Sequence, residues 1–300
     1  LKPFWPKPLP HLLPTSQMVS QGWLLFAAVV LPLLLRFLYS LWRVRLELRR
    51  WFFDGIGPTM PHHTACVIWL HGTGDHGAGF KWLRDVVTRN VGHVKLALPT
   101  AAFRPLTAMQ GKQVRAWMDV ESFPITPEDL HHAASLEEAV ARVHRLVDGE
   151  VAAGVPSERI VLAGFSQGAA VALWAAHRYP SRLAGVVLWS SFAASPEELG
   201  QALGRSANCD APHLCCHGGA DDRILPACGK QVVELLRRAK VPVQDHVYKD
   251  VAHGCCGEQI TELVEFLNKH VPKRSGEGHR KKASKERKAG KDSKEPKKAR

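Results

Sequence analysis

Residues 161–180 read VLAGFSQGAAVALWAAHRYP, an apolar run that breaks at Gly164-Phe165-Ser166-Gln167-Gly168 and at once resumes in a helical pattern. Two glycines, each separated from a single serine by one residue, are a costly way to build an ordinary turn, because glycine loses the most backbone freedom on folding. The arrangement suits a serine that must sit on a tight bend with neighbouring backbones pressed close. A serine hydroxyl is a poor nucleophile at neutral pH, and it needs a base and a group that orients the base.

Candidates for both lie downstream. PHLCCHGGADD (212–222) sets Asp221 and Asp222 directly after a strand-like run, and VQDHVYKDVAHGCC (243–256) sets His253 in the loop after the last one. Serine, acid and histidine thus come in that order, each just after a strand-like run. Residue type and position leave Asp221 and Asp222 both open. Asp245 and Asp250 precede His253 too closely to be the conventional acid. His177, His213, His217, His246 and His270 fall in or beside regular structure, where packing or exposure is the expected fate.

The first strand-like run supplies the remaining component. VIWLHGTGDHGAG (67–79) ends in a glycine-rich loop, so the N–H of Thr73 and the N–H of Gln167, just after the serine, can face an oxyanion developing there. The helix behind the serine adds its positive end. Gly72-Thr73-Gly74-Asp75-His76-Gly77 also reads as G-x-G-x-x-G. That dinucleotide fingerprint requires an acid closing the second strand, and the second strand here ends at Pro99-Thr100.

These groups need a scaffold. Continuous apolar runs at 65–71, 93–99, 159–164, 183–190, 212–218 and 243–249 predict strands covered on both faces. Helical patterns fill the gaps at 79–90, 135–153, 167–178, 196–204, 228–240 and 258–270. In 135–153, Leu136, Ala139, Val140, Val143 and Val147 form one stripe, with Glu137, Glu138, Arg142 and Arg145 outside it. Strand and helix in alternation predict an α/β fold, a mostly parallel central sheet with helices on both faces. The serine then lies at the carboxyl end of the sheet, where open α/β sheets place their ligands.

At 300 residues the chain has room for one large domain with a full core. The net charge of +12 is uneven: residues 273–300 hold thirteen Lys or Arg against four Asp or Glu, so only +3 is left for the rest. The basic tail is too polar to order itself. It offers contact with an anionic membrane, but without interleaved aromatics it offers no base-stacking surface, and no specific nucleic-acid partner is expected. The seven cysteines show neither disulfide-framework nor zinc spacing, which fits reduced thiols facing a cytosol.

Residues 1–60 form a proline-rich extension with an apolar run at 22–42. Pro32 and Arg36 interrupt that run, leaving an apolar core of 14 residues, 22–35. One reading is an N-terminal membrane anchor, about long enough to span a bilayer. Arg43, Arg45, Arg49 and Arg50 would then hold the following domain on the cytoplasmic side. The others are a signal peptide starting at Met18, or a working protein that begins at Met18 or Met60.

Taken together, WLHGTGDHG, LPTAAFRPLTAMQG with AWMD (116–119), GFSQGAAVAL, VVLWSSF, CHGGADDRILP and VAHG resemble the acyl-protein thioesterase and lysophospholipase-like carboxylesterase family of α/β hydrolases. The resemblance covers about residues 64–272. It implies an α/β-hydrolase fold with Ser166 as nucleophile, His253 as base and Asp221 rather than Asp222 as acid, since H-G-x-x-D falls on His217 to Asp221. It also implies Thr73 and Gln167 as oxyanion donors and Trp117 near the acyl site. Met118 and the longer DDRILP ending depart from the family pattern and bear on substrate range. The implied activity is hydrolysis of S-acylated protein, or of a lipid or small ester, with no metal or cofactor. The contrasting expectation is a membrane- or polyanion-binding protein whose hydrolase domain is inert.

Overall fold

The computed structural model describes residues 31–41, 63–129 and 133–274. The proline-rich start, most of the apolar run at 22–42 and all but the first two residues of the basic tail lie outside these. Residues 31–41 are helical and expose their large apolar side chains. Among the described residues no helix is long and apolar enough to cross a membrane.

Six strands make one sheet in the order β2 (Val94–Ala97), β1 (Ala65–Leu70), β5 (Ile160–Phe165), β6 (Gly185–Trp189), β7 (His213–Gly218) and β8 (Val243–Tyr248). Every pairing in it is parallel. The helices are α1 (Lys81–Asn90), α2 (Ala133–Ala152), α3 (Gln167–Arg178), α4 (Pro196–Leu203), α5 (Pro226–Arg238) and α6 (Gly257–His270). The predicted helical stretches therefore appear with ends shifted by at most two residues.

The continuous apolar runs resolve into two cores by the period-two alternation of a strand. Ile68, Leu70, Leu162, Val186 and Leu188 face a layer built from α2, α3, α4 and α5. Val67, Trp69, Val161, Ala163, Val187 and Trp189 face α1 and α6 on the other side. The α2 stripe of Leu136, Ala139, Val140, Val143 and Val147 is buried in the first core. α3 is buried over nearly its whole length, which is why its sequence is alanine-rich all round.

Two expectations need correction. β8 is not covered on both faces: it is an edge strand, none of its residues is fully buried, and Val247 is exposed. An antiparallel pair, β3 (Phe103–Leu106) and β4 (Lys112–Arg115), also stands apart from the main sheet where no strand was expected. At the β2 edge Lys95 is buried, with its ammonium 2.9 Å from the Glu150 carboxylate of α2, so the one lysine of that strand does not go unpaired.

Candidate active site

Ser166 stands between β5 and α3 with φ 58° and ψ −127°, a conformation unfavourable for any residue with a Cβ and characteristic of functional turns. The two flanking glycines make the turn possible for different reasons. A Cβ on Gly164 would lie 2.5 Å from the Gly168 carbonyl carbon, and one on Gly168 would lie 2.2 Å from the Leu70 carbonyl oxygen. The first glycine lets the strand fold onto its own helix, and the second lets that helix press against β1. The Ser166 N–H donates to the Trp189 carbonyl at 2.8 Å, which anchors the turn to β6.

The other two groups reach the serine from the ends of β7 and β8. The loops after these strands are tied by backbone bonds: Gly219 N–H donates to the Tyr248 carbonyl at 2.8 Å and Ala220 N–H to the Val251 carbonyl at 3.0 Å. A side chain at Gly218 would lie 2.2 Å from the Val251 oxygen, so glycine is needed there too. The result sets His253 Nε2 3.1 Å from Ser166 Oγ. On the other side His253 Nδ1 donates to Asp221, 3.0 Å from Oδ1 and 2.9 Å from Oδ2. The Phe165 ring packs against the imidazole with centroids 4.7 Å apart.

Asp221 is buried, whereas its neighbour Asp222 is exposed. Burial works to raise the Asp221 carboxyl. Hydrogen bonds from His253 and from the Ile224 and Arg223 N–H groups outweigh that and hold its pKa down to about 2. It is therefore an anion throughout the physiological range. A buried carboxylate fastened to one face of an imidazole fixes Nδ1 as the protonated nitrogen and leaves Nε2 as an acceptor toward the serine. That arrangement can draw a proton from a hydroxyl and return it to a leaving group.

The loop after β1 closes the site from above. A Cβ on Gly72 would lie 3.2 Å from both the Ser166 Cβ and the Phe165 ring, so this loop runs directly over the serine, and Thr73 is the next residue. Within the loop the N–H groups of Gly74, Asp75, Gly77 and Gly79 are taken by protein acceptors. The glycine at position 77 serves packing, since a Cβ there would lie 1.9 Å from the Leu98 oxygen. The Gln167 N–H opens α3, where the first turn has no carbonyl to bond.

Several supporting contacts are made by side chains within these motifs but are not foretold by the motifs themselves. The Gln167 side chain, 1% exposed, accepts from Trp117 N–H at 2.6 Å and donates to the Met118 carbonyl at 2.9 Å. Trp117 is buried, and its indole N–H donates to the His71 carbonyl at 2.8 Å. The 116–118 segment thus joins the elbow to the loop over the serine, with Trp117 as a strut beneath that loop. His71 accepts the Ala101 N–H on Nε2 at 2.9 Å and donates from Nδ1 to the Gly72 carbonyl at 2.7 Å. Burial lowers its pKa to about 4, so it stays neutral and keeps both bonds. His217 donates to the Ile224 carbonyl at 2.9 Å and lies 3.6 Å from Asp221 Oδ2. Local sequence around Gln167, His71 and His217 contains no signal for these contacts beyond the proximity of His71 and His217 to glycine pairs. Among the described residues no group of three or more His, Cys, Asp or Glu is placed to hold a metal ion, and all seven cysteines are free thiols.

Comparison with known proteins decides the family. The Phospholipase/Carboxylesterase profile matches residues 56–271. The chain belongs to that family. It is a hydrolase. It is 32% identical to acyl-protein thioesterase 1 of Schizosaccharomyces pombe over 213 residues, 70% of this chain and 92% of that one. It is 30% identical to acyl-protein thioesterase 1 of Neurospora crassa, over 72% of this chain and 91% of that one. Among solved structures it is similar to Arabidopsis thaliana SOBER1, with a TM-score of 0.66 and 25% identity over 69% of this chain and 99% of that one. Zea mays acyl-protein thioesterase 2 gives a TM-score of 0.62 at 25% identity, over 72% of this chain and 97% of that one. The fold is that of the α/β hydrolases.

Proposed function

We propose that the enzyme hydrolyses acyl thioesters or esters through an acyl-enzyme on Ser166, with S-acylated proteins as its main substrate class. The observation that carries the reading is the single line of contacts Asp221 to His253 Nδ1 and His253 Nε2 to Ser166 Oγ. In this mechanism His253 takes the hydroxyl proton as Ser166 Oγ attacks the acyl carbonyl. The Thr73 and Gln167 N–H groups hold the oxyanion. His253 then protonates the departing thiol or alcohol, and in the second half it activates water to release the acid. Asp221 stays ionised and stabilises the imidazolium. Trp117 acts by holding the loop that presents Thr73. The thioester preference rests on the similarity to acyl-protein thioesterases of two fungi and of maize.

S-acylated proteins are held at membrane surfaces, and both ends of the chain suit work there from the cytoplasmic side. The tail from Lys273 carries a net +9 and favours an anionic surface. The helical stretch at 31–41 offers exposed leucines and aromatics, which favours membrane contact by the N-terminal segment.

The reading is tested with a fluorophosphonate probe and the Ser166→Ala variant. Labelling confined to the unsubstituted protein is expected, together with faster turnover of a long-chain acyl thioester than of a short-chain ester. Equal labelling of both forms removes Ser166 from the role.

A further inference from the structure

A cavity of about 450 Å³ opens between α5, β7 and the edge strand β8, and neither Ser166, Asp221 nor His253 lines it. Its volume lies within the range of small-molecule sites. Leu188, Cys215, Pro226, Val232 and Val233 supply aliphatic and thiol walls. No Phe, Tyr or Trp ring lines it, so it offers little for a flat aromatic molecule to stack on. Ser191, 4% exposed, also lines this space, and its buried hydroxyl has no hydrogen-bond partner. A buried hydroxyl left unpaired works against folding and calls for an explanation. The charged groups around the cavity are largely balanced: Arg237 pairs with Asp245, Lys230 lies 3.9 Å from Glu234, and His246 lies 3.5 Å from Glu262.

We propose that this cavity binds an unbranched aliphatic chain carrying one small polar head, with the head bonded to the Ser191 hydroxyl. A hydroxyl both donates and accepts, so it can serve an alcohol or a carboxyl group. The site also has a physical link to the catalytic acid. His217 lines the cavity, lies 3.6 Å from Asp221 Oδ2 and donates to the carbonyl of Ile224, whose own N–H donates to Asp221. Occupancy therefore changes turnover, a consequence that rests on the reading of Asp221 and His253 given above. Binding itself does not rest on that reading.

The test is calorimetric titration of the full chain carrying Ser166→Ala with decanol and with decanoate, each below its aggregation limit. One site per chain is expected for at least one probe, and the difference between the two reports the charge of the preferred head. Ser191→Ala should weaken binding at least fivefold while the thermal unfolding midpoint in the absence of probe stays the same or rises, since an unpaired buried hydroxyl is removed. Val233→Trp, which fills the cavity, should abolish binding; if that variant fails to fold, Ser191→Ala decides alone. The same probe should still bind wild-type protein whose Ser166 has been blocked with fluorophosphonate. Absence of saturable binding overturns the proposal, as does binding that Ser191→Ala leaves intact or that blocking Ser166 removes. Intact fluorophosphonate labelling alongside failed probe binding refutes the cavity site alone. Failure of the wild-type protein to label, alongside intact probe binding to the Ser166→Ala protein, refutes only the catalytic reading.

Discussion

At the start of β7, His213 stacks on His177, and just beyond the end of the same strand Asp221 holds His253. Both arrangements are hydrogen-bonded and both contain imidazoles, yet burial holds the first pair neutral while the second is built on an ionised carboxylate. The His213 Nδ1–H donates to the Ala211 carbonyl at 2.9 Å, so its Nε2 must accept the Nε2–H of His177 at 3.0 Å. That leaves His177 Nδ1 buried with no partner. Burial lowers the pKa of both rings, and a proton on either would repel a proton on the other. His253 differs on each count. It is partly open to solvent, its Nδ1 faces a carboxylate, and its Nε2 faces a hydroxyl rather than a second imidazole. Of these imidazoles, only His253 has an anion behind it.

The comparison breaks most readily at that anion. Asp221→Asn leaves the shape of the acid but removes its charge, and the amide can turn its NH2 toward Nδ1, forcing the imidazole into the wrong tautomer. Turnover should fall about 10⁴-fold, while thermal unfolding stays cooperative with a lower midpoint, because the charge-assisted bonds to Asp221 are weakened. Steady-state rates with a chromogenic ester, taken beside an unfolding curve, measure both. A loss below tenfold would detach Asp221 from the proposed mechanism.

The neutral pair should reveal itself in acid. In the unfolded chain both imidazoles take protons near pH 6.5, whereas in the folded chain burial keeps His177 and His213 neutral well below that. Stability from this source is complete above pH 6.5 and falls as the pH drops, by about 1.4 kcal/mol per pH unit for each histidine. Asp221 acts in a separate window. Its carboxyl is lowered from 3.8 to about 2, so the stability it adds is present above pH 3.8 and is lost only as the pH falls toward 2. Chemical unfolding at a series of pH values from 7.5 to 4.5 distinguishes the two. A double variant, His177→Leu with His213→Leu, should flatten the slope whatever its absolute stability. An unchanged slope would assign the acid sensitivity to other groups, with His71 the first to test.

Much of this was readable in the chain because the strongest signals are local. A strand between two helix layers must be apolar at every position, and 160–164 and 183–189 are. A serine on a strained bend needs glycines beside it, and the spacing of Gly164 and Gly168 announces the bend. What could not be read depends on who the neighbour is. The β3–β4 pair is short, half exposed and carries Pro105, so neither alternation nor an apolar run marks it. β8 holds Gln244, Asp245 and His246 because no side chain in it is fully buried, whereas the other edge strand, β2, is buried throughout. The Gln167 side chain and the Trp117 indole act through contacts about fifty residues away in sequence. Gly218 resembles an ordinary loop glycine until the Val251 carbonyl is found against it.

Asp222 provides the smallest and sharpest test. Sequence position alone could not separate it from Asp221, because both follow β7 and both precede the long stretch to His253. The fold separates them by direction. After Gly218 the chain turns so that the Asp221 carboxylate points inward, where the Arg223 and Ile224 N–H groups and His253 Nδ1 converge on it, and the next side chain must point out. Asp222 is exposed, so its charge is felt at the imidazole only through solvent and is screened by salt. Asp222→Asn should therefore alter turnover by less than about twofold at physiological ionic strength, and stability by no more than about 0.5 kcal/mol. A tenfold loss would mean that the carboxylate at 222 takes part in charge stabilisation during turnover. The 218–222 turn would then have to rearrange when substrate binds, because its present geometry gives that carboxylate no path to His253.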